Sequence, residues 1–414
     1  MNKRQVRQIL KDTDFVHTGG SAEELRVAEY LADQSRAIGA EAHLEPFPVE
    51  MADMHAARLT VTYANGTTAE VPCEGFRLCG SGEIEAPFVY LPNTDPASLT
   101  KVKGAIVMLD TGIPFFTYQD LIDHGAVGII TYDGNLRYRD SDIDARELRP
   151  YVRGEKEKIL GVNINAKEAF KLIKAGVQRA KIFVDETEYA GESRNVVAEI
   201  PGTSDEWIVL TAHYDTTPLS HGSYDNMSGC IGLLCIMDNM IKNAPHRYGL
   251  RFVFCGSEER GLLGSKAYVK DHADELEKIC LNINLDMIGT FMGRFIGCVS
   301  AEEALASYIS YMASEIGFGI NVRCGVYSSD STPFADQGVP AVSFARIANP
   351  SQATIHNRYD SLELLSDEQM LADGAFLTAF TAHMADAVKC PVKREIPENI
   401  KKELDEYLSR KRKG

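Results

Sequence analysis

The chain has 414 residues, more than one hydrophobic core usually serves, with 44% hydrophobic and 25% charged residues, so a globular protein with one large unit and a smaller one is expected, not a disordered or fibrous chain. A formal net charge of -16 argues against a nucleic-acid partner, because phosphate binding needs clustered cations. No stretch approaches the ~20 apolar residues that span a bilayer, and nine cysteines at irregular spacing, with Cys230, Cys235, Cys255 and Cys280 inside apolar runs, do not suggest a disulfide framework.

In chain order, Met1 to Phe15 lacks the apolar run of a secretory signal, which with the cysteine usage gives a cytoplasmic setting as the expectation. Ser21 and Glu24 have capping-box spacing, and Leu25, Ala28, Leu31 and Ile38 keep helical period up to Gly39, predicting a helix over about 21–38. Residues 41–50 read as extended, and from about 55 to 100 short apolar runs are broken by turn residues. Gly104–Leu109 and Ala126–Tyr132 read as strands on either side of a helix over Tyr118–His124.

From Val196 onward strands and helices alternate. Trp207–Ala212, Leu250–Cys255, Ile279–Leu285 and Ala341–Ala345 are apolar strands, with helices expected over about 226–243, 260–272, 301–316 and 366–387. That pattern predicts an α/β fold: an open, mostly parallel twisted sheet covered by helices on both faces. Ile400, Leu404 and Leu408 at four-residue spacing predict a short amphipathic helix within a charged C-terminal tail over 391–414.

Side chains that could act together fall at the ends of these strands, where open α/β sheets bind ligands. His213 and Asp215 share a face of extended backbone, so His213 could bind a metal with Asp215 orienting it. Asp225 reads either as a helix N-cap or as a carboxylate that bridges two cations. Glu258 and Glu259 diverge as neighbours, leaving one to ligate and one free as a general base, unless both merely charge a helix N-terminus. Asp286 ends a buried strand and needs a partner, and His356 lies in a loop after the last strand.

The ordered set His-x-Asp, Asp-Asn, Glu-Glu, Asp and His resembles metallopeptidase family 28, the co-catalytic two-zinc aminopeptidases, over about residues 1–50 and 190–390. The resemblance implies a discontinuous catalytic domain over 1–54 and 189–390 and, over 55–188, an insertion similar to a protease-associated domain, carried by Lys103–Val107 and His124–Ile130. It implies two zinc ions, with cobalt or manganese as substitutes: Asp225 as the bridge, His213 and Asp286 on one ion, Glu259 and His356 on the other, Glu258 as general base and Asp215 behind His213. The implied activity removes residues from the free N-terminus of peptides by a metal-activated water, with no nucleic-acid or membrane partner and homo-oligomerisation left open. Carboxypeptidase, glutaminyl-cyclase-like and non-catalytic peptide-binding relatives are the rival readings. Three positions depart from the family pattern: Ser223-Tyr224 before the bridging Asp, Ser331 where a His is common, and Ile355 where some members carry an oxyanion-stabilising Tyr, for which Tyr327 is a substitute to consider.

Overall fold

The computed structural model describes residues 1–109 and 112–412, so the last two residues of the predicted tail, Lys413 and Gly414, lie outside it. The chain divides into two compact units, Met1–Val49 with Glu192–Gly414, and Glu50–Gly191.

In the first unit the C-terminal part of β1 (Val177–Ile200) is followed by β2 (Trp207–His213), β3 (Gly249–Cys255), β4 (Ile279–Leu285), β5 (Arg294–Ser300), β6 (Asn321–Cys324) and β7 (Ala341–Ile347). Their spatial order is β6-β5-β7-β4-β2-β3-β1. The four central strands β7, β4, β2 and β3 run parallel, and β1 and β5 pair antiparallel at their two sides. This mostly parallel α/β sheet is the predicted architecture. Every residue of β3 is buried, as a strand covered on both faces requires.

The two faces are separate cores. Leu250, Phe252 and Phe254 of β3 join a large cluster with helices α1 (Lys3–Asp12), α2 (Ala22–Ile38), α3 (Ser228–Lys242), α5 (Glu303–Glu315) and α7 (Asp367–Ala385). Val253 and Cys255 face the other way, toward Tyr268 and Val269 of α4 (Leu263–Asp271) and Phe334 of α6 (Ser331–Asp336). Helix α2 starts with the Ser21 hydroxyl accepting from the Glu24 amide and stops at Gly39, whose φ of 112° suits only glycine without strain. Helix α1 falls where the sequence reading assigned nothing: Asn2 and Gln5 make a full capping box, and Val6, Ile9 and Leu10 are buried. Helix α8 (Glu398–Tyr407), inside the predicted tail, docks through Ile400 and Leu404 against Ala335 and Ala341.

The second unit holds a four-stranded parallel run, Gly82–Leu91, Ile106–Leu109, Gly128–Asp133 and Leu160–Asn165. Its core gathers Ile106, Val107, Met108, Ile129, Ile130, Val162 and Ile164 with Tyr118 and Leu121 of the helix Phe115–Asp123. The stretch read as extended over 41–50 and as short broken runs from about 55 is one long strand as far as Tyr63, Glu41–Tyr63, after which the chain turns at Asn65-Gly66 and pairs back through Leu59–Thr62 with Thr68–Val71. Among the described residues no helix is long and apolar enough to cross a membrane.

An aromatic cluster anchors the large core: Phe344 of β7, fully buried, lies 5.3 Å from Phe380, 6.0 Å from Phe376 and 6.1 Å from Phe295 between ring centroids. Phe344→Ala should cost about 3–5 kcal/mol. Urea unfolding followed by the fluorescence of Trp207, the single tryptophan, checks this, and a loss below about 1 kcal/mol would show that these rings do not hold the sheet.

Candidate metal centre

Parallel strands deliver their C-terminal ends to one edge of the sheet, and β2, β3 and β4 each end at or just before a polar side chain there. His213 is the last residue of β2 and is buried. Its Nδ1 lies 3.3 Å from the backbone carbonyl of Asp215, which directs Nε2 outward to the cluster. Nε2 is 3.1 Å from Asp225 Oδ1, 3.7 Å from Asp286 Oδ1 and 4.0 Å from Glu258 Oε2.

Asp225 does not cap a helix. Residues 223–227 form an irregular turn in which Asp225 (φ -112°, ψ 88°) and Asn226 (φ -144°, ψ 37°) leave helical geometry, and α3 begins only at Ser228. That turn is held from both sides. Asp360, fully buried, accepts from the amides of Tyr224 (2.8 Å) and Asp225 (3.1 Å) and from the Ser220 hydroxyl (3.1 Å). The Asn226 side chain donates to the Leu285 carbonyl and accepts from the amides of Gly229 and Met287. A Cβ at Gly229 would come within 2.5 Å of that Leu285 oxygen, so glycine there lets α3 approach the end of β4.

So held, Asp225 turns its second oxygen to His356: Oδ2 is 3.1 Å from His356 Nε2, which is also 3.1 Å from Glu259 Oε1. The His356 side chain is 49% exposed, whereas Asp225 and Asp286 are buried. Two groups of possible ligands therefore share one carboxylate: His213, Asp225 and Asp286, and Asp225, Glu259 and His356.

Glu258 belongs to neither group. Its amide and that of Glu259 donate to the two oxygens of Asp215, at 2.8 and 3.2 Å. The Asp215 carboxylate is 3.7 Å from His213 Nδ1, so this side chain grips the Glu258-Glu259 backbone, and the contact to the imidazole comes from its main-chain carbonyl.

The donor set fits divalent cations. Two ligand atoms on a tetrahedral zinc ion, each at about 2.0–2.2 Å, lie about 3.3–3.6 Å apart, near the 3.1 and 3.7 Å seen in the first group and the 3.1 Å seen in the second. Asp286 Oδ1 is buried with no hydrogen-bond partner, an arrangement that is costly unless a cation or proton fills it.

Electrostatics agree. Burial alone would keep His213 neutral, but Glu258, Asp225 and Asp286 outweigh it and raise its pKa well above the usual imidazole value. Burial likewise opposes charge on His356, and Glu259 and Asp225 overcome it, holding the pKa up at about 11. On Glu258, burial and the nearby Glu259 carboxylate push the pKa well above the ordinary range against the pull of His213.

The positions that depart from the family pattern also have definite places. The Ser331 hydroxyl is 2.7 Å from that of Ser343 in a buried contact, beneath the cluster. The Tyr224 hydroxyl donates to the Arg346 carbonyl. Burial and the carboxylates of Asp286 and Asp225 keep the Tyr327 phenol protonated well beyond its usual range. Asp360 had no assigned role in the sequence and Asn226 only a place in the Asp-Asn pair, since each acts through the backbone of a loop whose course no spacing rule predicts.

An open α/β sheet with two ligand groups sharing one carboxylate at its strand ends defines a candidate two-cation centre. Residues 195–381 match the family model of Peptidase family M28. The chain is similar to that family over this region, which is less than half of its length. It is 29% identical over 322 residues to Aminopeptidase YwaD of Bacillus subtilis, covering 73% of this chain and 66% of that protein. It is 30% identical over 195 residues to Leucine aminopeptidase 2 of Trichophyton rubrum, covering 45% of this chain and 38% of that one. The chain thus spans less than two thirds of these relatives' length. The fold is shared with an aminopeptidase from Aneurinibacillus sp. strain AM-1 (TM-score 0.75, 22% identity, 95% of this chain and 96% of that chain) and with BSAP, a zinc aminopeptidase from Bacillus subtilis (TM-score 0.75, 23% identity, 96% and 98%).

Metal uptake by this cluster should expel protons. With both pKa values raised, His213 and His356 are protonated near neutral pH in the metal-free protein, and a ligating imidazole must be neutral. Zinc titrated calorimetrically at pH 7, in buffers of different ionisation enthalpy, should release one proton from each imidazole. Affinity should rise by about tenfold per pH unit for each proton displaced. Proton-free binding, or an affinity constant between pH 6 and 8, would remove the two imidazoles from the ligand set.

Proposed function

We propose that this chain is a zinc-dependent exopeptidase that hydrolyses single residues from the free N-terminus of peptides. The observation that carries the reading is Asp225, whose two oxygens each lie 3.1 Å from a different imidazole. A shared carboxylate between two three-ligand groups is the donor arrangement for a pair of divalent cations.

His213, Asp225 and Asp286 would hold one zinc ion and Asp225, Glu259 and His356 the other; cobalt or manganese suits the same nitrogen and oxygen donors. When bound, such ions polarise the scissile carbonyl and make water a strong nucleophile at neutral pH. Glu258, not a member of either group and 4.0 Å from His213, takes the proton of the attacking water and passes it to the leaving amine. Its raised pKa, set by burial and Glu259, moves it toward the range where a carboxylate both accepts and returns a proton near neutrality. Asp215 keeps Glu258 and Glu259 apart by holding both their amides.

The aminopeptidase reading is favoured over a carboxypeptidase by charge. Acidic groups crowd the cluster and suit a substrate ammonium group, and Arg346, next to Asp286-Met287 through its backbone, has its guanidinium engaged by Asp373 at 2.5 and 2.8 Å and by the Gly293 carbonyl. The names of the matched relatives support the same choice. For the second unit we favour a protease-associated-like domain, on the strength of its parallel core and the two segments Lys103–Val107 and His124–Ile130.

The test is a mixed peptide library incubated with zinc-loaded protein, with and without N-terminal acetylation, beside Glu258→Gln. Residues should be lost one at a time from free N-termini only. The variant should keep its zinc while turnover falls by about 10²- to 10⁴-fold. Cleavage from the C-terminus, or a fully active variant, would sink the reading.

A further inference from the structure

Ser257, the residue before the Glu258-Glu259 pair, has φ 52°, a left-handed conformation in which successive amides can converge on an anion. Three consecutive amides here are taken by carboxylates, two by one and the third by another. Asp215 takes those of Glu258 and Glu259. The amide of Ser257 goes elsewhere, to Glu24 Oε1 at 3.0 Å.

Glu24 sits in the first turn of α2 and is fully buried. Its Oε1 also accepts from the Ser193 hydroxyl at 2.7 Å, and its Oε2 accepts from the Gly20 amide at 2.7 Å. The capping-box reading of its spacing is therefore incomplete: Ser21 caps α2, while the Glu24 carboxylate reaches out of the helix to the loop after β3. The fit is close, since a Cβ on Gly256 would come within 2.8 Å of Glu24 Oε1, and one on Gly19 within 2.3 Å of the Ser257 hydroxyl. Burying a carboxylate in this way is a poor means of stabilising a fold. It ties the start of α2 and the Ser193 hydroxyl to the amide of Ser257, the left-handed residue that leads into Glu258.

We propose that Glu24 is a positioning residue for the reaction: by holding the Ser257 amide it locks the left-handed turn that points Glu258 at the reacting centre and Glu259 at the ligand cluster. This rests on the reading of Glu258 as general base. Asp215 cannot substitute, because it holds the amides of residues 258 and 259 and not that of residue 257, whose carbonyl accepts from the Leu263 amide.

Glu24→Gln is the discriminating variant, being isosteric but placing an NH2 group against one of the amide donors. Four quantities are compared with wild type: zinc content, thermal midpoint, kcat and KM on the library peptide that wild type cleaves fastest, and hydrogen exchange in the metal-free protein. The expected result is full zinc content, KM within about twofold, kcat lower by about 10- to 100-fold, and faster exchange confined to residues 255–262. Wild-type kcat and exchange in Glu24→Gln, with Glu258→Gln inactive, would overturn the proposal and leave the base intact. Exchange accelerated throughout α2 and β3 would also overturn it, as a general loss of structure. An active Glu258→Gln would refute the base itself, while local exchange still reports whether Glu24 holds the turn. Should Glu24→Gln not fold, Glu24→Asp, which withdraws the carboxylate by one methylene, carries the same comparison.

Discussion

Five carboxylates, those of Asp215, Asp225, Glu258, Glu259 and Asp286, are packed with two imidazoles at one edge of the sheet, and the cost of that crowding governs the structure around it. Like charges about 4 Å apart repel by about 1 kcal/mol in water and about 4 kcal/mol near a protein surface, before any cost of removing them from solvent. With both imidazoles protonated and all five carboxyls ionised, three negative charges would remain. Divalent cations can offset them. The protein alone answers with backbone amides and raised carboxyl pKa values: burial pushes Asp215 and Glu258 well above the ordinary carboxylate range, and the supporting Asp360 and Glu24 up to about 7.

Amides can be aimed only if the backbone leaves its ordinary conformations, and the strained residues show where that happens. Six non-glycine residues among those described have positive φ, and four of them, Ser257, Leu262, Met287 and His356, lie on the loops that carry Glu258-Glu259, Asp286 and His356. Each such residue costs of order 1–3 kcal/mol unless its surroundings hold it. Here they do. Asn226 takes the amide of Met287, Asp360 those of Tyr224 and Asp225, and Asp215 those of Glu258 and Glu259. The buried polar side chains that look redundant around the cluster act mainly on backbone.

This explains what the sequence could disclose. The central strands were legible because continuous apolar runs such as Ile279–Leu285 have few other uses, and the polar residues at their ends stood out against those runs. His213, Asp225, Glu259, Asp286 and His356 could be named in advance because each carries a donor type that a metal needs. Whether they meet is a tertiary fact. Asp360 and Glu24 were illegible as supports, since a carboxylate that binds an amide leaves no trace in spacing, and Glu24 carried a plausible local explanation as part of a helix cap. Helix α1 was missed for a related reason: only Val6, Ile9 and Leu10 are buried, too short a stripe to stand out.

The departure at residue 331 shows how the same logic absorbs a change. Beneath the cluster a buried chain of polar groups runs from Thr211 of β2 to Asn284 of β4, then to Ser329 and Ser343, and on to Ser331. A hydroxyl can donate or accept by rotating, so Ser331 closes this chain at the Ser343 hydroxyl without needing a partner in the metal centre. A histidine would present a fixed ring and two fixed nitrogens in the same buried volume. Serine therefore makes position 331 part of the support under β4 and β7, and the chemistry above it depends on that layer for rigidity, because β4 ends in Asp286 one residue beyond the sheet.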